Sequence, residues 1–353
     1  MIRRLFALTI LLITASVLFT SCSMFFQPEP EEKKERVDRA ETYGPPLPAD
    51  ASVEAAGQFP AEPDLTDNLI GSLRPGDATP GERIPEILER GRIIIGVDQS
   101  QYLLSYRDSV TGDLQGFEID LAREISRDIF GDPSRVEFRF VDSFDRVSTL
   151  SSGEVDLVIR NMSVTEKRQN EVLFSAPYLS AETRLLVMAH SGVNSFDSLP
   201  GQTVCVADNS TGLETAREYA PHSPILKTRN WADCLVALQQ HQAQAIISDD
   251  YILSGITAQD PYTTIVGESP ASSEYGVAAA HPRVSELSED LIRQVNATME
   301  RIREDGTWWR MYDRWFSAYL STSGQPPLNY RAEEEPYQDT PAAETTETSE
   351  EEP

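Results

Sequence analysis

Histidine and cysteine are scarce, four and three of 353 residues, and no pair stands at metal-ligand spacing. A zinc ribbon and a His-rich metal centre are excluded, and neither a metal nor a cofactor is expected. Basic residues are also short, 30 Lys plus Arg against 57 Asp plus Glu, which leaves a formal charge of -27. A phosphate backbone would be repelled, so no nucleic-acid partner is expected. Long apolar runs are confined to Leu5 to Phe19, about 15 residues, short of the roughly 20 that span a bilayer. Both ends are poor in branched apolar residues. Residues 22–85 are rich in Pro, Glu, Ala and Asp, and 325–353 form an acidic Thr/Pro/Glu tail, so both read as disordered: they cannot bury enough surface to offset the entropy of ordering. The 86–324 stretch, with 35 acids and 21 bases, is long enough for two ordinary cores or one large one.

The start of the chain is an export signal. Arg3 and Arg4 precede the apolar run, and Thr20, Ser21 and Cys22 close it, which marks 1–21 as a signal peptide. Leu18-Phe19-Thr20-Ser21-Cys22 resembles the bacterial lipobox, with Phe19 where Leu is usual. That resemblance implies a lipid on Cys22 and a protein anchored to the outer face of the cytoplasmic membrane. Export favours pairing of the other cysteines. Cys205 sits in the apolar run Val204-Cys205-Val206 and Cys234 in a helical pattern with Leu235 and Leu238, so a Cys205–Cys234 disulfide is expected, two buried thiols being the alternative.

Between the ends, short apolar runs alternate with segments of helical period, the pattern of an α/β fold with largely parallel strands. Strands are expected at 92–97, 136–141, 155–159, 203–207 and 245–247. One helix carries Leu121, Ala122, Ile125 and Ile129 on a stripe; another carries Leu291, Val295, Met299 and Ile302 and stops at Gly306. Leu185 to Met188 and Tyr275 to Ala280 read as crossing strands. This divides the fold into lobe 1 (86–191), lobe 2 (192–274) and a return to lobe 1 (275–324), with a cleft between lobes.

In open α/β sheets ligands bind beyond the carboxyl ends of the strands. Those ends carry Gln101 and Tyr102; Ser143 and Arg146; Arg160, Asn161, Ser163 and Arg168; Ser210, Thr211 and Gly212; and Ser248, Asp249 and Asp250. Guanidinium groups, hydroxyls at helix starts and a carboxylate suit a zwitterion: Arg for a carboxylate, helix N-terminal amides as further donors, Asp for an ammonium. Arg146 and Arg160 could instead pair with Asp142 or Asp145, and Ser210 is equally placed to cap a helix. Trp308, Trp309 and Trp315 at helical spacing read as packing, and Asp156 as structural.

The chain resembles the family 3 extracellular solute-binding proteins of polar amino-acid ABC transporters, especially actinobacterial members that handle glutamate and glutamine. The matching stretches include Gly91 to Asp98, Gly116 to Ala122, Ser152 to Leu157, Met162 to Arg168, Phe174 to Tyr178, Ser248 to Asp250 and Asp305 through Phe316. The resemblance implies a type II periplasmic-binding-protein fold, two lobes joined by two crossing strands. It also implies that Arg168 takes the ligand α-carboxylate with Ser163 and the amides near Thr211 and Gly212. Asp249 takes the ammonium with the carbonyl of Asn161, and Gln101 and Tyr102 cover the aliphatic part. Arg146 stands where acidic-amino-acid members approach the side-chain carboxylate. The family often has Gly where Asn209 stands, and an aromatic near Gln101. The expected ligand is glutamate or aspartate, then glutamine or asparagine; the expected partner is an ABC permease or, alternatively, a signalling membrane protein, with the receptor a monomer. A dehydratase on the same scaffold, of the cyclohexadienyl type, needs a free acid or base in the cleft. Asp249 is committed and no His falls at a strand end, so no enzyme is expected.

Overall fold

A computed structural model describes residues 45–62, 69–322 and 324–332. The expected signal peptide and Cys22 lie outside the described residues. The compact unit considered below begins at Leu47.

The chain opens with β1 (Ser52–Glu54), then two short helices, α1 (Pro80–Arg83) and α2 (Pro85–Arg90). A first βα series follows: β2 (Ile93–Val97), a small three-stranded sheet of β3 (Ser100–Gln101), β4 (Ser105–Arg107) and β5 (Leu114–Gln115), then α3 (Phe117–Phe130), β6 (Val136–Phe140), α4 (Arg146–Ser151), β7 (Leu157–Val158), α5 (Glu166–Gln169) and β8 (Val172–Phe174). After the long β9 (Leu179–Met188) comes a second series: β10 (Val204–Ala207), α6 (Thr211–Tyr219), β11 (Ile225–Thr228), α7 (Trp231–Gln239), β12 (Ala245–Asp249), α8 (Asp250–Gln259) and β13 (Thr263–Val266). The chain then returns through β14 (Ser272–Tyr275) and β15 (Ala278–Ala280) to α9 (Ser288–Glu304) and α10 (Thr307–Trp315).

Beside that small sheet stand two larger ones, ordered β6-β2-β7-β15-β8 in lobe 1 and β1-β11-β10-β12-β9-β13 in lobe 2, with β14 also paired to β9. The five strands expected from sequence are all present, and β2 pairs in parallel with β6 and β7, as β10 does with β11 and β12. The α3 stripe is buried, and the helix begins at Phe117, four residues before the first stripe residue Leu121, because Gly116 allows it. At φ +129 a Cβ on Gly116 would lie 2.1 Å from the Leu104 carbonyl oxygen. That close approach lets the amides of Phe117 and Glu118 bond the carbonyls of Leu103 and Leu104, both at 2.9 Å. The α9 stripe is likewise buried, and Gly306, at φ +74, separates α9 from α10. Trp308 and Trp315 are buried, while Trp309 is largely exposed.

Three expectations need correction. The crossing is made by Leu179–Glu182 of β9 against Ser272–Tyr275 of β14, whereas Leu185–Met188 already lies inside the lobe 2 sheet. Lobe 2 therefore begins near Thr183, not at 192, since one strand is long enough to serve both crossing and sheet. Second, part of the expected tether is folded. β1 adds antiparallel to the edge strand β11, and buried Glu54 grips Arg217 with both oxygens at 3.0 and 2.8 Å. Ser72 and Leu73 are buried on lobe 1. Third, residues 324–332 belong to lobe 1 rather than to a free tail: Arg331 donates its amide to Ser72 at 2.9 Å, and Ser72 donates to Asn329 at 2.8 Å. Composition missed both segments because they need no core of their own; an existing edge supplies the hydrogen-bond partners.

Candidate functional site

The site begins with an internal ion pair. Asp98, at the end of β2, accepts the amides of Gln99 and Ser100 at 2.7 and 2.8 Å, and its other oxygen meets Arg160 at 2.5 Å. Both side chains are almost wholly buried. Arg160 also bonds the Ser143 hydroxyl. Neither Asp142 nor Asp145 is its partner, and Arg160 does not line the cleft; this corrects its expected ligand role, because a guanidinium already neutralised by Asp98 has little left to offer an anion.

The loop after β7 turns sharply at Asn161, whose φ is +35. Its amide donates to Glu118 at 2.6 Å, and the residue lines the cleft. Thr165 caps α5 by accepting the Arg168 amide at 3.2 Å. The Arg168 guanidinium then reaches the carbonyls of Ser163 at 2.9 Å and, across the cleft, Asn209 at 3.2 Å. Arg146, in the first turn of α4, is buried and donates to the carbonyls of Ser143 at 2.9 Å, Arg160 at 3.4 Å and Asn209 at 3.4 Å. Among the described residues no carboxylate pairs with it. Burial and the charges of Arg168 and Arg160 push its pKa well down.

Lobe 2 supplies the facing wall. Asn209 adopts φ +56, a left-handed position, which accounts for the family's frequent Gly there. Ser210 donates to the Ala207 carbonyl at 2.6 Å and makes no side-chain cap. Thr211 and Gly212 open α6, with the Thr211 hydroxyl 3.4 Å from that of Ser163. A Cβ on Gly212 would stand 2.9 Å from the Ile247 carbonyl, so the helix approaches β12 closely. Asp249 ends β12, buried. It accepts from the Tyr275 hydroxyl at 2.5 Å and from Thr183, opposite it in the ladder, at 3.2 Å. Burial pushes its pKa up; the two hydroxyls and the charge of Arg168 oppose that.

One cavity brings these groups together, lined by Ser143, Arg146, Asn161, Ser163 and Arg168 from lobe 1 and by Ser210, Thr211, Gly212, Trp231, Ser248, Asp249 and Ile252 from lobe 2. Ten of the fourteen strand-end residues singled out from sequence are in that lining; Arg160, Asp250, Gln101 and Tyr102 are not. Gln101 and Tyr102 stand outside it: Gln101 donates to the Ile252 carbonyl at 3.4 Å, and the Tyr102 carbonyl packs against Gly255 of α8. Trp231 and Ile252 were missed as contacts, although the Asn230-Trp231 helix start was a visible signal: Asn230 caps α7 by accepting the Asp233 amide at 2.9 Å. The Ser248 hydroxyl and Asn161 Nδ2 have no hydrogen-bond partner among the described residues. Away from the cavity, Arg229 of lobe 2 meets Asp142 of lobe 1 at 2.5 Å. Cys205 and Cys234 form a disulfide joining β10 to α7, with Cα atoms 5.6 Å apart.

Charges of both signs facing one cavity from two lobes can hold both ends of a small zwitterion. The chain is similar to several known proteins. A glutamine-binding protein of Geobacillus stearothermophilus is 32% identical over 230 residues, 65% of this chain and 88% of that protein. A glutamate-binding protein of Corynebacterium efficiens is 25% identical over 247 residues, covering 67% and 82%. The solved structure of an ancestral arginine-binding protein bound to glutamine superposes with a TM-score of 0.59 at 29% identity, over 64% of this chain and 98% of that one. The fold is that of the type II periplasmic amino-acid-binding proteins. With residues 93–318 matching the bacterial extracellular solute-binding proteins, family 3, the chain belongs to that family and is a solute-binding protein of an amino-acid ABC transporter.

Proposed function

We propose that this protein captures glutamate or aspartate outside the cytoplasm, held to the membrane by a lipid on Cys22, and delivers it to an ABC permease. Arg168, with the hydroxyls of Ser163 and Thr211 and the first amides of α6, takes the α-carboxylate. Asp249 takes the ammonium. Arg146 takes the side-chain carboxylate, and this residue carries the choice of ligand. A buried guanidinium that meets only carbonyl dipoles is not neutralised, and an anionic guest supplies the missing charge. A ligand touching Arg168 on one lobe and Asp249 on the other favours the closed arrangement, because only that arrangement offers both contacts.

Glutamine is the second reading, favoured by the glutamine-binding relatives and by the orphaned Asn161 amide, which an amide oxygen satisfies as well as a carboxylate does. Calorimetry of the purified protein against the twenty amino acids decides. Glutamate or aspartate should bind with micromolar or tighter affinity, and Arg168→Ala should abolish it; tightest binding of glutamine would install the second reading. No binding by any amino acid would remove both.

A further inference from the structure

Glu118 is a buried acid with no ligand role in the proposal above. It is the second residue of α3 and is wholly buried. Its carboxyl is directed at the binding loop of lobe 1. One oxygen, Oε1, accepts both the amide of Asn161 and the hydroxyl of Tyr178, each at 2.6 Å. Tyr178 is itself fixed, its ring 6.3 Å from that of Phe117 and its carbonyl accepting Trp308 Nε1 at 2.9 Å.

What Glu118 grips is the least comfortable residue of the cavity. Asn161 is left-handed, a conformation that non-glycine residues keep only when their surroundings enforce it. Its neighbours in the loop touch groups of the site: the Arg160 carbonyl accepts from Arg146 at 3.4 Å, and the Ser163 hydroxyl stands 3.4 Å from that of Thr211. A shift of Asn161 would move all three.

The acid is also costly where it stands. Burial raises its pKa to about 7, Asp98 adds to that, and Tyr178, Asn161 and Arg160 only partly compensate. Its second oxygen has no partner among the described residues. An apolar residue in this position would avoid that cost but leave the Asn161 amide without an acceptor.

We propose that Glu118 is a positioning residue for ligand binding: from α3 it fixes the Asn161 backbone and, through it, the loop that presents Asn161, Ser163 and the Arg146 anchor to the ligand. This rests on the assignment of the cleft as an amino-acid site. The role depends on an acceptor of the right reach, not on charge, and three substitutions separate the two. Calorimetry with L-glutamate should find Glu118→Gln, which keeps the acceptor in place, within about threefold of the parent. Glu118→Asp, which keeps the charge but falls one methylene short, should bind about tenfold or more weakly, as should Glu118→Leu. Hydrogen exchange of the Asn161 amide should quicken in the Glu118→Asp and Glu118→Leu variants relative to the parent and not in Glu118→Gln. If Glu118→Leu does not fold, the Asp and Gln pair still decides. Parent-like binding by Glu118→Asp, or equal weakness of Glu118→Gln and Glu118→Asp, overturns the proposal. Failure of the parent protein to bind any amino acid would instead remove the assignment of the cleft, a separate outcome.

Discussion

Replacing Arg146 by methionine should move stability and binding in opposite directions. The guanidinium is buried, donates only to carbonyl oxygens and stands near Arg160 and Arg168, so its charge is a cost when no anion meets it. Methionine fills similar space without that cost, and replacing buried charges by apolar groups is neutral to stabilising by about 1–4 kcal/mol. Taking about 1 kcal/mol, the melting temperature should rise by roughly 2–4 °C for a domain of this size. Binding of glutamate should suffer. Removing the partner of a buried carboxylate costs about 2–5 kcal/mol, or roughly 30-fold to several-thousand-fold in affinity. Glutamine, which loses only a hydrogen bond to a charged donor, should weaken by about 1.5–3 kcal/mol at most, so the preference for glutamate over glutamine should shrink. Calorimetry for both ligands and thermal unfolding without ligand measure all three quantities. Equal losses for glutamate and glutamine, together with a lower melting temperature, would refute the argument, because Arg146 would then be holding the Asn209 loop rather than a ligand carboxylate.

Changing both Cys205 and Cys234 to alanine should cost about 3–4 kcal/mol in urea unfolding, since the bond closes a loop with a sequence separation of 29, and thiol titration of the unreduced, unfolded protein should find neither sulfur free. Arg229→Ala should break the ion pair to Asp142 and raise the ligand dissociation rate a few-fold at low salt; the effect should fade at high salt because both groups border solvent. Burial raises Glu118 and Asp250 alike to about 7, so each contributes stability that is fully present below its unfolded value and is lost as pH rises towards 7. For Glu118 the loss amounts to about 3 kcal/mol between roughly pH 4.5 and 7. The unfolding midpoint of Glu118→Gln should therefore fall less steeply over that window, and an unchanged slope would count against ionisation of Glu118.

Much of the fold was legible because its signals are local. A run such as Ile93–Val97 is apolar on both faces, as a strand buried between two helical layers requires, and the α3 and α9 stripes repeat at the helical period. The candidate ligand groups were legible for a related reason: polar residues directly after buried strands collect on one side of each sheet. The same logic failed where a segment borrows its partners. Ser52–Glu54 and residues 324–332 have no apolar pattern of their own, and only the free edge of β11 and the backbone amide and carbonyl of Ser72 give them a place.

The sequence by itself determined which strands, helices and charged strand ends this protein has, since each depends on neighbours within a few positions. Only the tertiary structure decided which arginine is spent and which is available. Arg160 and Arg146 look alike along the chain, yet Asp98 lies 62 positions from Arg160 and neutralises it, while no carboxylate among the described residues reaches Arg146. Charge pairing falls off over a few ångströms of space, and separation along the chain does not predict that distance.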